Sequence, residues 1–120
     1  MTVKVTLWTV DLTREANEAS LSADERARAE RLAIPAARRQ FATTRARLRE
    51  ILAEATGIEP HALVFGAGEY GKPYLQNIPD APHFSVSHSH DCALIVLAQQ
   101  PVGVDIERVR PLSALAQMTD

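Results

Sequence analysis

A chain of 120 residues that is 46% apolar has the size of one small domain, with enough core to fold and little in reserve. Its net charge of −2 and sequence pI near 6.1 argue against nonspecific binding of nucleic acid. Because 11 of the 13 basic residues are arginine, any anion recognition has to be local.

The single cysteine, Cys92, excludes an internal disulfide and fits a reducing compartment; it is expected to lie buried in a strand. No apolar run reaches membrane-spanning length, and the first residues lack the basic and apolar regions of a signal peptide. A cytoplasmic protein with no membrane partner is the resulting expectation.

Residues Val3 to Leu12 alternate as a strand, with Trp8 and Val10 shifting the phase, which suggests a bulge and places Trp8 in the core. Ser22 followed by Glu25 has the spacing of a capping box and predicts a helix running to about Leu32. Pro35 suits the first turn of a second, longer helix, and Gly57 suits the position just past its end. Within it Ala37, Phe41, Thr44, Leu48, Ile51, Leu52 and Ala55 define the buried stripe. Arg38, Arg45 and Arg49, at intervals of seven and four, form a row one residue to its side. Taken alone, each reads as a solvated border residue whose stem covers the core; as a row they suit phosphate, which guanidinium groups bind through paired donors.

Ala62 to Phe65 reads as a short strand, and Gly66-Ala67-Gly68-Glu69-Tyr70-Gly71-Lys72-Pro73 as a tight turn, since these glycines lack the spacing of a nucleotide-binding loop. Phe84 to Ser87 and Cys92 to Leu97 supply two more strands around His88-Ser89-His90-Asp91. That cluster admits several readings. Zinc on His88, His90 and Cys92 lacks a fourth ligand, a serine nucleophile lacks an evident base, and hydroxyls and imidazoles can simply close a turn.

Near the end, Val102, Val104 and Ile106 alternate with Gly103, Asp105 and Glu107 in the pattern of a half-buried strand. Asp105 and Glu107 then share a face and can converge on one Mg²⁺, a cation usually held by one or two carboxylates plus substrate phosphates. An ordinary solvated face with two acids, or part of an unrelated metal-dependent hydrolase, fits the same alternation. Leu112 to Met118 could begin a further helix.

The order Glu69-Tyr70-Gly71-Lys72-Pro73, then Phe84-Ser85-Val86-Ser87-His88-Ser89, then Val102-Gly103-Val104-Asp105-Ile106-Glu107, preceded by an arginine-rich helix, resembles the 4'-phosphopantetheinyl transferases of the Sfp type. The resemblance implies an α+β fold, a small mostly antiparallel sheet packed on one long helix, forming one of the two pseudo-repeats of that family. It implies that residues 1–120 are a single domain equivalent to the N-terminal half. The activity implied is transfer of the phosphopantetheine arm of coenzyme A to a serine of an apo acyl or peptidyl carrier protein. Asp105 and Glu107 would hold Mg²⁺, while Lys72, Ser87, His88 and either Arg39 or Arg45 would contact the coenzyme. Gln40 stands where the family often has a basic residue. No catalytic residue is expected in this chain, since the general base and a Trp-x-x-Lys-Glu-Ala helix belong to the C-terminal half. Unaided, such a half is expected to bind coenzyme A weakly and to need a separate second half. A noncatalytic, self-associating domain is the alternative.

Overall fold

The computed structural model describes residues 5–68, 72–76 and 78–99. Strand β1 (Val5–Asp11) turns Thr6, Trp8 and Val10 toward the core and leaves Val5 and Leu7 about half exposed. The expected bulge is absent here. β1 pairs with β5 (Cys92–Ala98) residue for residue, from Val5 opposite Ala98 to Asp11 opposite Cys92, so the apolar residues at both phases simply occupy both faces.

Helix α1 (Ala23–Glu30) begins with the predicted capping box. Ser22 Oγ accepts the Glu25 N–H at 3.2 Å, and Glu25 Oε1 accepts the Ser22 N–H at 3.1 Å. Helix α2 (Pro35–Thr56) carries proline in its first turn and ends at Gly57, whose φ of 77° is left-handed and whose N–H donates to the Ala53 carbonyl. Its buried face contains Leu48, Ile51 and Leu52 as expected. It also contains Thr43, Ala46 and Arg49, while Ala55 is exposed, so the buried stripe is rotated toward Ala46.

The segment expected to be a strand from Ala62 is instead a short 3-10 turn (Pro60–Ala62), and β2 (Phe65–Ala67) begins later. β2 pairs antiparallel with β3 (Pro73–Leu75), an element the turn-rich sequence had hidden. At Gly66 a Cβ would come within 2.6 Å of the half-exposed Tyr74 ring, so a larger residue there would have to push that side chain aside. β4 (His83–Ser89) and β5 form a hairpin closed by His90 and Asp91, giving a three-stranded antiparallel sheet in the order β1-β5-β4. Cys92, at the start of β5, is partly exposed rather than buried.

Among the described residues the architecture is thus α+β, with two small antiparallel sheets and two α-helices. One core cluster joins Leu48, Ile51 and Leu52 of α2 to Val10, Phe84, Ala93 and Ile95 of the sheet. Among the described residues, no helix is long and apolar enough to cross a membrane.

Candidate functional site

The hairpin between β4 and β5 is pinned from two sides. Leu12 donates its N–H to the Asp91 carbonyl at 2.9 Å, and the Gln40 side-chain amide donates to the His90 carbonyl. Gln40 therefore ties α2 to the strand end that carries His88. Because side chains alternate along β4, Val86 and His88 face the helix while Ser85 and Ser87 face the other way.

Between α1, α2, β3 and β4 lies a cleft of about 420 Å³. Its polar walls include Arg28 of α1, Arg45 of α2 and His88 of β4; its apolar walls include Phe41, Leu48 and Val86. No carboxylate is among its described lining residues. Two guanidinium groups above an apolar floor make it a place for an anion attached to a flat or apolar group.

Arg45 is held in this wall by several contacts. Its Nη1 donates to Glu25 Oε2 at 3.1 Å, and its guanidinium carbon lies 5.6 Å from the Phe41 ring centroid and 5.1 Å from that of Phe65. Burial pulls its proton affinity below the ordinary arginine value, with Glu25 opposing; an arginine nonetheless stays charged at physiological pH. The Arg28 guanidinium carbon lies 4.8 Å from the same Phe41 ring centroid, so both cationic walls rest on one ring.

Of the residues singled out in the sequence, Arg45 and His88 meet in this cleft. Lys72 is exposed and directly precedes Pro73, which lines the cleft, and its carbonyl accepts the Gly68 N–H at 2.7 Å. Ser87 lies on the opposite face of β4. Arg39 goes elsewhere, donating from Nε to the Leu12 carbonyl at 3.3 Å and lining a separate cavity of about 760 Å³ with Arg26 and Arg38. Asp105 and Glu107 lie outside the described residues. Among those described, no group of three or more His, Cys, Asp or Glu is placed to hold a metal.

The arginine row separates into three different roles. Arg38 donates to the Leu32 carbonyl at 2.9 Å, closing the α1–α2 connection. Arg49 is only 3% exposed and is fully engaged by Glu25 and by the carbonyls of Pro60 and Leu63. Only Arg45 reaches the cleft. Sequence reasoning missed Arg28, although it lies three residues beyond Glu25 and so shares its face of α1. It also missed Thr44 as an anomaly: its buried Oγ1 has no hydrogen-bond partner among the described residues, although Thr44 lines the cleft.

A family model described as 4'-phosphopantetheinyl transferase, N-terminal, matches residues 9–102. The chain belongs to the 4'-phosphopantetheinyl transferase family. It is 35% identical to 4'-phosphopantetheinyl transferase HetI of Nostoc sp. (strain PCC 7120) over 96% of this chain and 52% of HetI. It is 41% identical to a 4'-phosphopantetheinyl transferase of Bacillus subtilis over 53% of this chain and 28% of that protein. Sfp of Bacillus subtilis (strain 168) is 35% identical over 55% of this chain and 29% of its own length. The chain therefore spans about half of HetI and under a third of the two Bacillus transferases in these matches. Within the transferase family, the described structure is an N-terminal portion with a cleft that gathers Arg28, Arg45 and His88 and has no carboxylate among its described lining.

Proposed function

We propose that this chain is the coenzyme-binding half of a 4'-phosphopantetheinyl transferase that moves the phosphopantetheine arm of coenzyme A to a serine of an apo acyl or peptidyl carrier protein. The observation that carries the reading is the cleft itself: two arginines and a histidine converge over an apolar floor, with no carboxylate among the described lining. Arg45 and Arg28 would bind the phosphates of the coenzyme's nucleotide end, and His88 would hydrogen-bond or pair with the same anion. Lys72, beside Pro73 at the cleft edge, would add a further cation. Ser87 faces away from His88, so its contribution is assigned to the backbone around the β4 end. Arg39 has no part in this site.

Asp105 and Glu107 offer the oxygen donors that Mg²⁺ prefers, and the ion, when bound, would offset charge on the coenzyme pyrophosphate. The chain's own residues would bind and orient the coenzyme, while the general base would come from the complementary half. In this reading residues 1–120 form one pseudo-repeat whose sheet lies on the long helix α2. Val5 and Leu7, 51% and 49% exposed on the outer side of β1, would be covered by that second half or, in the noncatalytic alternative, by a second copy.

Titration calorimetry with adenosine 3',5'-bisphosphate tests the reading. Saturable binding is expected, weakened about tenfold in His88→Ala, the loss of roughly one charge-assisted contact. Equal affinity in the parent chain and in His88→Ala would remove His88 from the site.

A further inference from the structure

Glu25 lies outside the cleft wall, yet every acceptor position it has is in use. Oε1 accepts the Ser22 N–H at 3.1 Å and Arg49 Nε at 2.6 Å; Oε2 accepts Arg49 Nη2 at 3.0 Å and Arg45 Nη1 at 3.1 Å. Four donors fill the four lone-pair sites of one carboxylate, leaving none for solvent or ligand. Three of the four connections cross between helices, so the group fixes α1 against α2 at the level of the cleft.

Two consequences follow for Arg45. One carboxylate faces two guanidinium groups, so the group Arg45–Glu25–Arg49 carries one positive charge in excess. Arg49 is spent on Glu25 and on the Pro60 and Leu63 carbonyls, so the excess falls on the only member that lines the cleft, Arg45. In addition, Glu25 holds one end of the guanidinium while the Phe41 and Phe65 rings hold its plane. Its remaining N–H donors are thereby set before any ligand arrives.

We infer that Glu25 is a positioning residue for the phosphate site: it touches no ligand, and it raises affinity for a nucleotide phosphate by fixing Arg45 in the cleft wall. The inference rests on the coenzyme reading above. A free arginine loses side-chain freedom when it binds an anion, and prior immobilisation removes that cost. The sign of the effect is diagnostic. A carboxylate that served only as a counter-charge would oppose anion binding, and its removal would strengthen binding. A positioning carboxylate has the opposite signature.

The test measures adenosine 3',5'-bisphosphate affinity by calorimetry in Glu25→Gln and Glu25→Asp, with folding checked by circular dichroism. Glu25→Gln removes the charge. Glu25→Asp keeps the charge and shortens the reach, so it carries the test if burying Arg49 without a carboxylate unfolds the chain. Both are expected to bind about tenfold more weakly, equivalent to ~1.4 kcal/mol of ordering. Arg45→Met is expected to weaken binding on its own, and Glu25→Asp to cost little more when added to it, because the group that Glu25 positions is then gone. Unchanged or tighter binding in the folded Glu25 variants would overturn the positioning role while leaving the coenzyme site in place. Absence of binding in the parent chain would overturn both.

Discussion

Replacing Arg49 with methionine removes the most heavily engaged buried cation among the described residues while keeping a similar apolar stem. Four hydrogen bonds disappear: two to Glu25, at 2.6 and 3.0 Å, and one each to the carbonyls of Pro60 and Leu63, both at 2.7 Å. Breaking a buried ion pair from one side costs about 3–5 kcal/mol. Here Glu25 keeps Arg45 and the Ser22 N–H, which places the carboxylate's part at the low end, about 3 kcal/mol; the Pro60 carbonyl keeps the Leu63 N–H at 3.3 Å, so the stranded Leu63 carbonyl adds about 1 kcal/mol. The sum is a loss of about 4 kcal/mol, a large part of the ~5–15 kcal/mol that holds a domain together. At ~4 °C per kcal/mol for this length, the melting temperature should fall by about 15 °C. Urea unfolding followed by circular dichroism reads the loss directly. Arg49→Lys should recover less than half of it, since one ammonium lacks the fork that reaches a carboxylate and two carbonyls together. A loss below about 1 kcal/mol in Arg49→Met would refute the hub.

Glu25 gives a pH signature. Burial opposes its charge, but the Arg49 hydrogen bond, the Ser22 amide and the charges of Arg49 and Arg45 outweigh burial and hold the carboxyl below its ordinary value of 4.5. A depressed folded-state value means that the stabilisation is complete above about pH 4.5 and is lost as pH falls through the folded value; the gap between the parent and Arg49→Met should therefore shrink in acid, as urea midpoints at pH 7 and pH 3.5 would show. Thr44→Val should stabilise the chain by about 1 kcal/mol by removing a buried hydroxyl with no partner, measured by the urea midpoint; destabilisation would mean that the hydroxyl is bonded. Gly57→Ala should cost about 1 kcal/mol, because φ is 77° there, and no loss would contradict the left-handed cap. Ser22→Ala should cost about 1 kcal/mol in the same assay by removing the acceptor for the Glu25 N–H.

Local signals were the legible ones. Ser22 and Glu25, Pro35 and Gly57, the apolar alternation of β1 and the apolar run of β5 each carry their cause within a few residues, and each element appears where that cause predicts, although β1 lacks the expected bulge. The strand at Pro73 was hidden because its pairing is nonlocal: β3 pairs with β2, and Pro73 reads as a turn residue. The 3-10 turn at Pro60, held by the local bond from the Ala62 N–H to the Glu59 carbonyl, was masked by the apolar run that follows it. The arginine row shows the sharper limit. Helical spacing aligns Arg38, Arg45 and Arg49, but their roles depend on what each meets: the Leu32 carbonyl, the cleft, or the carboxylate of Glu25. The capping box likewise announced Glu25 as a helix start and concealed its second role, since its side chain serves Ser22 and two arginines at once. Arg28 was missed because α1, with the sequence Ala-Asp-Glu-Arg-Ala-Arg-Ala-Glu, has no apolar stripe to mark an inward face.

The central claim is that the nucleotide end of coenzyme A occupies the cleft between α1, α2, β3 and β4. The most direct measurement is a titration of the isotope-labelled chain with coenzyme A, following the side-chain NMR signals of His88, Arg28, Arg45 and Arg39. Saturable shifts at His88, Arg28 and Arg45, with Arg39 unmoved, are the predicted result. Shifts centred on Arg39 and its cavity, or none at His88 and Arg45 at saturating coenzyme, would contradict it.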